Sequence, residues 1–150
     1  YNAVGHSLGA NDIVNQALTY GHDRKLPTLN KIVTIGGPFD GLTGYLNAET
    51  EHQVRQMAAK PARFTRHFAT MLSKRQNFPK NVQMLNVIGD TNAGFNNDGY
   101  VGVASARSIS YVLRHKLAKY EERFYSGTAA AHCALNQNPQ VARSMISFLW

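Results

Sequence analysis

Five residues near the start of the chain constrain it most. Gly5-His6-Ser7-Leu8-Gly9 is a G-x-S-x-G pentapeptide, preceded by Ala3-Val4 and followed by Ile13, Val14, Ala17 and Leu18 at helical spacing. An apolar strand end, a glycine-flanked serine and an amphipathic helix in that order predict a tight strand-to-helix turn. Such a turn projects the Ser7 hydroxyl out of the end of a sheet. Side chains two residues before and after the serine are expected to collide there, which would explain glycine at positions 5 and 9. The following helix, Leu8–Tyr20, would aim its first amides and its dipole at negative charge developing beside the serine, with the Leu8 N–H as one oxyanion donor. An incidental glycine-rich turn has the same five letters, but not these flanks. His6 adjoins the serine, yet neighbours on so sharp a turn point in different directions. It is expected to line a pocket wall, as are Pro38 and Phe39 after the next strand.

The rest of the chain alternates short β-branched runs with amphipathic segments, which predicts an α/β fold: a mostly parallel sheet flanked by helices. Lys31–Ile35 is a second strand, ended by Gly36-Gly37-Pro38. Val82–Ile88 is a third, stopped by Gly89-Asp90, and Tyr120–Tyr125 a short last one. Ser105–Leu113 is expected to be helical. Val141–Trp150 closes the chain as a helix begun by Asn138 or Pro139. With 150 residues the chain suffices for one domain with its own core.

An insertion, about residues 42–80, separates the second and third strands, and two helices are expected in it. In the second, Phe64, Phe68, Met71 and Leu72 share a face. Arg55, Lys60, Arg63, Arg66, Lys74, Arg75 and Lys80 make the segment basic. It could be a lid or a surface for an anionic partner, or a helix pair laying its apolar stripe on the sheet. For the aromatic stripe, packing is the expectation.

Sixteen Lys and Arg against nine Asp and Glu give a net charge of +7. That balance suits contact with anionic polymers, but no nucleic-acid-binding signature is present and the aromatics do not alternate with the basic residues. Nucleic acid is therefore not an expected partner. Cys133 is the one cysteine, which excludes an intrachain disulfide and a thiolate zinc cluster. No apolar run reaches the roughly 18 residues of a membrane span.

A serine nucleophile needs a base, and the base an acid to orient it. In a sheet of this kind the chain order is Ser, then Asp or Glu, then His. Of the six histidines, His22 follows the first helix, His52 and His67 lie in the insertion, and His115 ends a helix among basic neighbours. His132 differs in position: it lies between the last strand and the closing helix, in the loop Gly127–Asn138. Two acids follow the third strand. Asp90 ends it directly, whereas Asp98 sits in Asn96-Asn97-Asp98-Gly99-Tyr100-Val101, a loop able to reach the strand ends. Either could equally form an Asx-turn, or Asp90 could brace the loop. Position alone favours Asp98 only modestly.

Gly5-His6-Ser7-Leu8-Gly9, Ile35-Gly36-Gly37-Pro38-Phe39-Asp40-Gly41, Asn97-Asp98-Gly99-Tyr100-Val101 and the Ala131-His132 loop ending in Phe148-Leu149-Trp150 occur in one order. In this the chain resembles the cell-surface α/β-hydrolases of lactic-acid and related Gram-positive bacteria, grouped as a domain of unknown function. The resemblance implies a triad of Ser7, Asp98 and His132, an esterase or lipase-like activity, and no metal or organic cofactor. It also suggests a location at the cell surface or outside the cell.

In such hydrolases the elbow follows the fifth of eight strands, ordered 1-2-4-3-5-6-7-8. The chain is thus expected to be the C-terminal half of the fold, part of a longer protein. It would lack the loop carrying the second oxyanion donor and would expose a strand edge open to self-association. Alone, it is expected to be a poor catalyst. Two further readings use the same residues differently: a hydrolase-like module that binds anionic cell wall or membrane without catalysis, and a thioesterase or acyltransferase.

Overall fold

The computed structural model describes residues 1–42 and 65–150. Four strands form one parallel sheet in chain order: β1 (Asn2–His6), β2 (Lys31–Ile35), β3 (Gln83–Asp90) and β4 (Lys119–Ser126). The register pairs Val4 with Val33, Val33 with Leu85, and Leu85 with Glu121. Helices lie on both faces, so the central strands must be apolar on both sides, and alternate residues feed two cores. Ile32 and Met84 face α1 (Leu8–Tyr20), α2 (Arg66–Lys74) and α3 (Val103–Leu113), packing with Val14, Leu18, Phe68, Met71, Ile109 and Leu113. Val33, Ile35, Leu85 and Val87 point the other way, onto Leu135 of α4 (His132–Leu135) and Val141 and Leu149 of α5 (Pro139–Leu149). This parallel sheet between helices is the expected α/β class.

The helix ends follow local chemistry. Asn138 caps α5 by accepting from Gln140 N at 2.8 Å, with Pro139 in the first turn, where its missing N–H costs nothing. Lys31 Nζ reaches the last carbonyls of that helix, Phe148 O at 2.8 Å and Leu149 O at 3.1 Å. Thr65 caps α2 by accepting from Phe68 N. In α2, Phe68 and Met71 are buried in the core and Leu72 packs at its margin, while Arg66 and Lys74 face solvent. The apolar stripe therefore packs on the sheet side, as expected. Phe64, Arg55, Lys60, Arg63, His52 and the first expected helix of the insertion lie outside the described residues.

Several boundaries differ from expectation, most by one residue and three in ways that matter to the site. β3 continues through Gly89-Asp90, because both residues keep their register with Tyr125 and Ser126 of β4. Helix α3 begins at Val103, two residues early. The segment 127–138 is not a plain loop but holds a 3-10 turn, Thr128–Ala130, and the four-residue α4, each too short to show a period.

One polar chain crosses the apolar interior. Thr34 Oγ1 donates to Asn86 Oδ1 at 2.9 Å, and Asn86 Nδ2 donates to Ala106 O and to the Tyr120 hydroxyl, which in turn donates to Glu122. Burial pushes the Tyr120 phenol far above its ordinary range. Because each buried polar group has a partner, the chain ties β2, β3, β4 and α3 to one register.

Candidate active site

Ser7 stands between β1 and α1 with φ 57° and ψ −128°, in the region that residues with side chains avoid. Its N–H donates to Ile35 O at 2.9 Å and its carbonyl accepts from Ala10 N at 3.0 Å, so the strained turn is held from both sides. A serine at a helix N-cap usually bonds the first-turn amides, but Ser7 makes no such bond. Its Oγ lies instead 2.8 Å from Nε2 of His132. The tight turn does require glycine at position 5, where a Cβ would fall 2.5 Å from Gly9 O. The matching expectation for Gly9 is corrected: a Cβ there meets nothing within 4 Å. The collision is one-sided, because the side chain at position 5 would strike the backbone at position 9 and not the reverse.

His132 and Asp98 meet across the ends of β3 and β4. His132 Nδ1 lies 2.7 Å from Asp98 Oδ2, and both side chains are almost fully buried. The main chains are joined as well, His132 N donating to Asp98 O at 2.8 Å. Asp98 Oδ1 accepts from Tyr100 N at 3.0 Å and Val101 N at 2.7 Å. One carboxylate thus forms the turn with one oxygen and meets the imidazole with the other. Asp90 has only the turn: its Oδ1 accepts from Asn92 N, and its carbonyl accepts from Gly127 N. It braces the loops on either side of the strand end.

With the Ser7 hydroxyl donating to Nε2, the ring carries its proton on Nδ1, facing Asp98. A proton leaving Oγ for Nε2 would create an imidazolium against a buried carboxylate. The Leu8 N–H, first in α1, has no intrahelical acceptor and lies beside the serine. Among the described residues, no group of three or more His, Cys, Asp or Glu side chains is placed to hold a metal ion. None of the described helices is long and apolar enough to cross a membrane.

A cavity of about 460 Å³ opens beside the elbow, lined by Leu8, Asn11, Pro38, Leu42 and His67 among others. Burial holds the His67 imidazole below its ordinary pKa, although Asp12 nearby pulls the other way.

The whole chain, residues 1–150, matches the family model described as alpha/beta hydrolase of unknown function (DUF915). The chain belongs to this family. Solved structures with the same fold include the product of gene lin2722 from Listeria innocua, with TM-score 0.83, 24% identity, and coverage of 99% of this chain and 56% of that one. A protein of Lactobacillus plantarum designated a cell surface hydrolase has TM-score 0.73 and 20% identity, covering 99% of this chain and 52% of its own. A lipase-esterase related protein from Clostridium acetobutylicum has TM-score 0.51 and 13% identity, covering 98% and 65%. The chain spans about half the length of the first two. No match is found among the curated proteins.

Two of the expected wall residues are placed differently. Phe39 is fully buried in the core on the α1 face, because the main chain folds inward after Gly37; it does not line the cavity. His6 Nε2 lies 2.9 Å from the main-chain oxygen of His132, so it grips the loop, and it is not among the residues that line this cavity. Pro38 does line the cavity, and its carbonyl accepts from Asn11 Nδ2 at 3.1 Å.

Sequence reasoning missed Gly36 and Tyr100. Gly36 has φ +54°, and a Cβ there would lie 3.0 Å from Asp98 Oδ2 and 3.2 Å from His132 Nδ1. The Gly36-Gly37 pair was legible as a strand stop, but the room Gly36 leaves for the hydrogen-bonded Asp98 and His132 side chains was not. The Tyr100 ring stands 5.3 Å from that of His132, a contact no local pattern signals.

Proposed function

We propose that this protein is a serine hydrolase acting on carboxylic esters through an acyl-enzyme. The observation that carries the reading is the line Ser7 Oγ, His132 Nε2, His132 Nδ1, Asp98 Oδ2, with 2.8 and 2.7 Å at its two hydrogen bonds. In this reading Ser7 Oγ attacks the acyl carbon while His132 Nε2 takes its proton. The oxyanion receives the Leu8 N–H, and the alcohol leaves with the proton returned by His132. Water then repeats the sequence on the acyl-serine and frees the acid. Asp98 holds the tautomer and offsets the transient imidazolium without itself being protonated. The cavity beside Leu8 is roomy enough for a short or medium acyl chain, and family membership supports hydrolase chemistry on this fold.

The test is covalent labelling of the intact protein by a fluorophosphonate probe, with p-nitrophenyl ester turnover measured alongside. Ser7→Ala is expected to abolish both. Labelling that persists in the variant would place the nucleophile elsewhere and overturn the reading.

A further inference from the structure

His6 and Ser7 are consecutive residues of the elbow, and both touch His132, more than 120 positions away in the chain. Ser7 Oγ meets its ring, and His6 Nε2 meets its main-chain carbonyl at 2.9 Å. The two imidazoles stand 4.7 Å apart between centroids, tilted by 39°. A carbonyl oxygen can only accept, so His6 must carry a proton on Nε2. Asp98 holds the other two polar groups of His132, its main-chain N–H and its Nδ1. The base is therefore gripped at four points, two from Asp98 and two from the elbow.

The grip matters because the element carrying His132 cannot hold itself. Helix α4 is a single turn of four residues, far below the length at which a helix is stable alone. Gly36 offers the ring no side chain to lean on, only backbone so close that a Cβ would lie 3.2 Å from His132 Nδ1. Proton transfer to Nε2 requires the Ser7–His132 distance to stay within hydrogen-bond range, and His6 fastens the main chain of His132 to the end of β1, next to Ser7.

We propose that His6 is a positioning residue, whose Nε2–H fixes the main chain of His132 so that its imidazole stays within proton-sharing reach of Ser7. This rests on the serine-hydrolase reading above. It makes the second residue of the pentapeptide part of the site's geometry, acting through His132 and not on substrate.

The intact protein carrying His6→Phe keeps the ring's bulk and loses the donor, whereas His6→Gln keeps an N–H of similar reach. With p-nitrophenyl butyrate, the Phe variant is expected to lose about 10²-fold in kcat, the scale of a small misplacement of a catalytic group, with KM little changed. The Gln variant should recover most of that loss. Wild-type rates in the Phe variant, or equal losses in Phe and Gln, would overturn the proposal. Should His6→Phe fail to fold, ¹⁵N NMR of histidine-labelled wild type decides. Protonation of His6 on Nε2 is expected, and a neutral ring protonated on Nδ1 would refute the contact. Ser7→Ala is assayed in parallel. If it retains turnover, the hydrolase reading fails, whereas the NMR result still judges the His6–His132 bond on its own.

Discussion

Position 36 shows how closely the site is built. Its backbone lies in the left-handed region, and the space a Cβ would take is already bordered by Asp98 Oδ2 and His132 Nδ1. Gly36→Ala should therefore push the imidazole off its acid and strain the turn at once. A loss of about 10²-fold in ester hydrolysis is expected, measured as kcat/KM. Gly9→Ala is the contrasting case despite belonging to the motif itself. Its Cβ would enter open space at the start of a helix, so activity should hold. Stability should be equal or slightly higher, since glycine inside a helix is about 0.5–1 kcal/mol worse than alanine. Thermal unfolding of the two variants separates these outcomes. That asymmetry could not be read from five letters, because it depends on which atoms the folded turn brings to each glycine.

Among the elements, those with long periodic patterns were the legible ones. Helix α1 has the boundaries its spacing predicts, and α5 begins where Asn138-Pro139 says it should. The one-turn α4 was invisible, having no room for a period. The polar chain through the sheet was equally hidden, because Thr34 and Asn86 look like ordinary strand residues until their strands are neighbours. Asn86→Leu should destabilise the protein by about 1–3 kcal/mol for each buried polar atom left unpaired, foremost the Thr34 hydroxyl. The Thr34→Val, Asn86→Leu double variant should lose less than the two single losses added, because the second change removes the orphaned partner. Denaturant midpoints at constant m-value measure both. Additive losses would mean that the two side chains do not share a bond.

On the scale of the molecule, the sheet gathers three chain segments at the carboxyl ends of its strands, which is where open α/β sheets place their sites. His67, beside the neighbouring cavity, ties stability to pH. Its folded pKa is held down by burial, and its Nε2 is buried with no hydrogen-bond partner among the described residues. The unfolded chain, with an ordinary histidine value of about 6.5, binds that proton more readily than the folded one. Its contribution to stability is thus intact above about pH 6.5 and is lost as pH falls through the lower folded value. The wild type should show a wider gap in unfolding midpoint between pH 7.5 and 5.5 than His67→Gln. An equal gap in both would refute the assignment.

The amino-acid order by itself determined the local features: a serine elbow after an apolar strand, the alternating α/β pattern, and the capped closing helix. These depend on turn chemistry and periodicity within a few neighbouring residues. Tertiary structure decided the rest. It brought the His132 ring to Ser7 across 125 positions and to Asp98 across 34, turned His6 from a wall into a clamp, and sank Phe39 into the core. A contact between distant segments exists only once the parallel strands are stacked in register, and no window along the chain contains both of its partners.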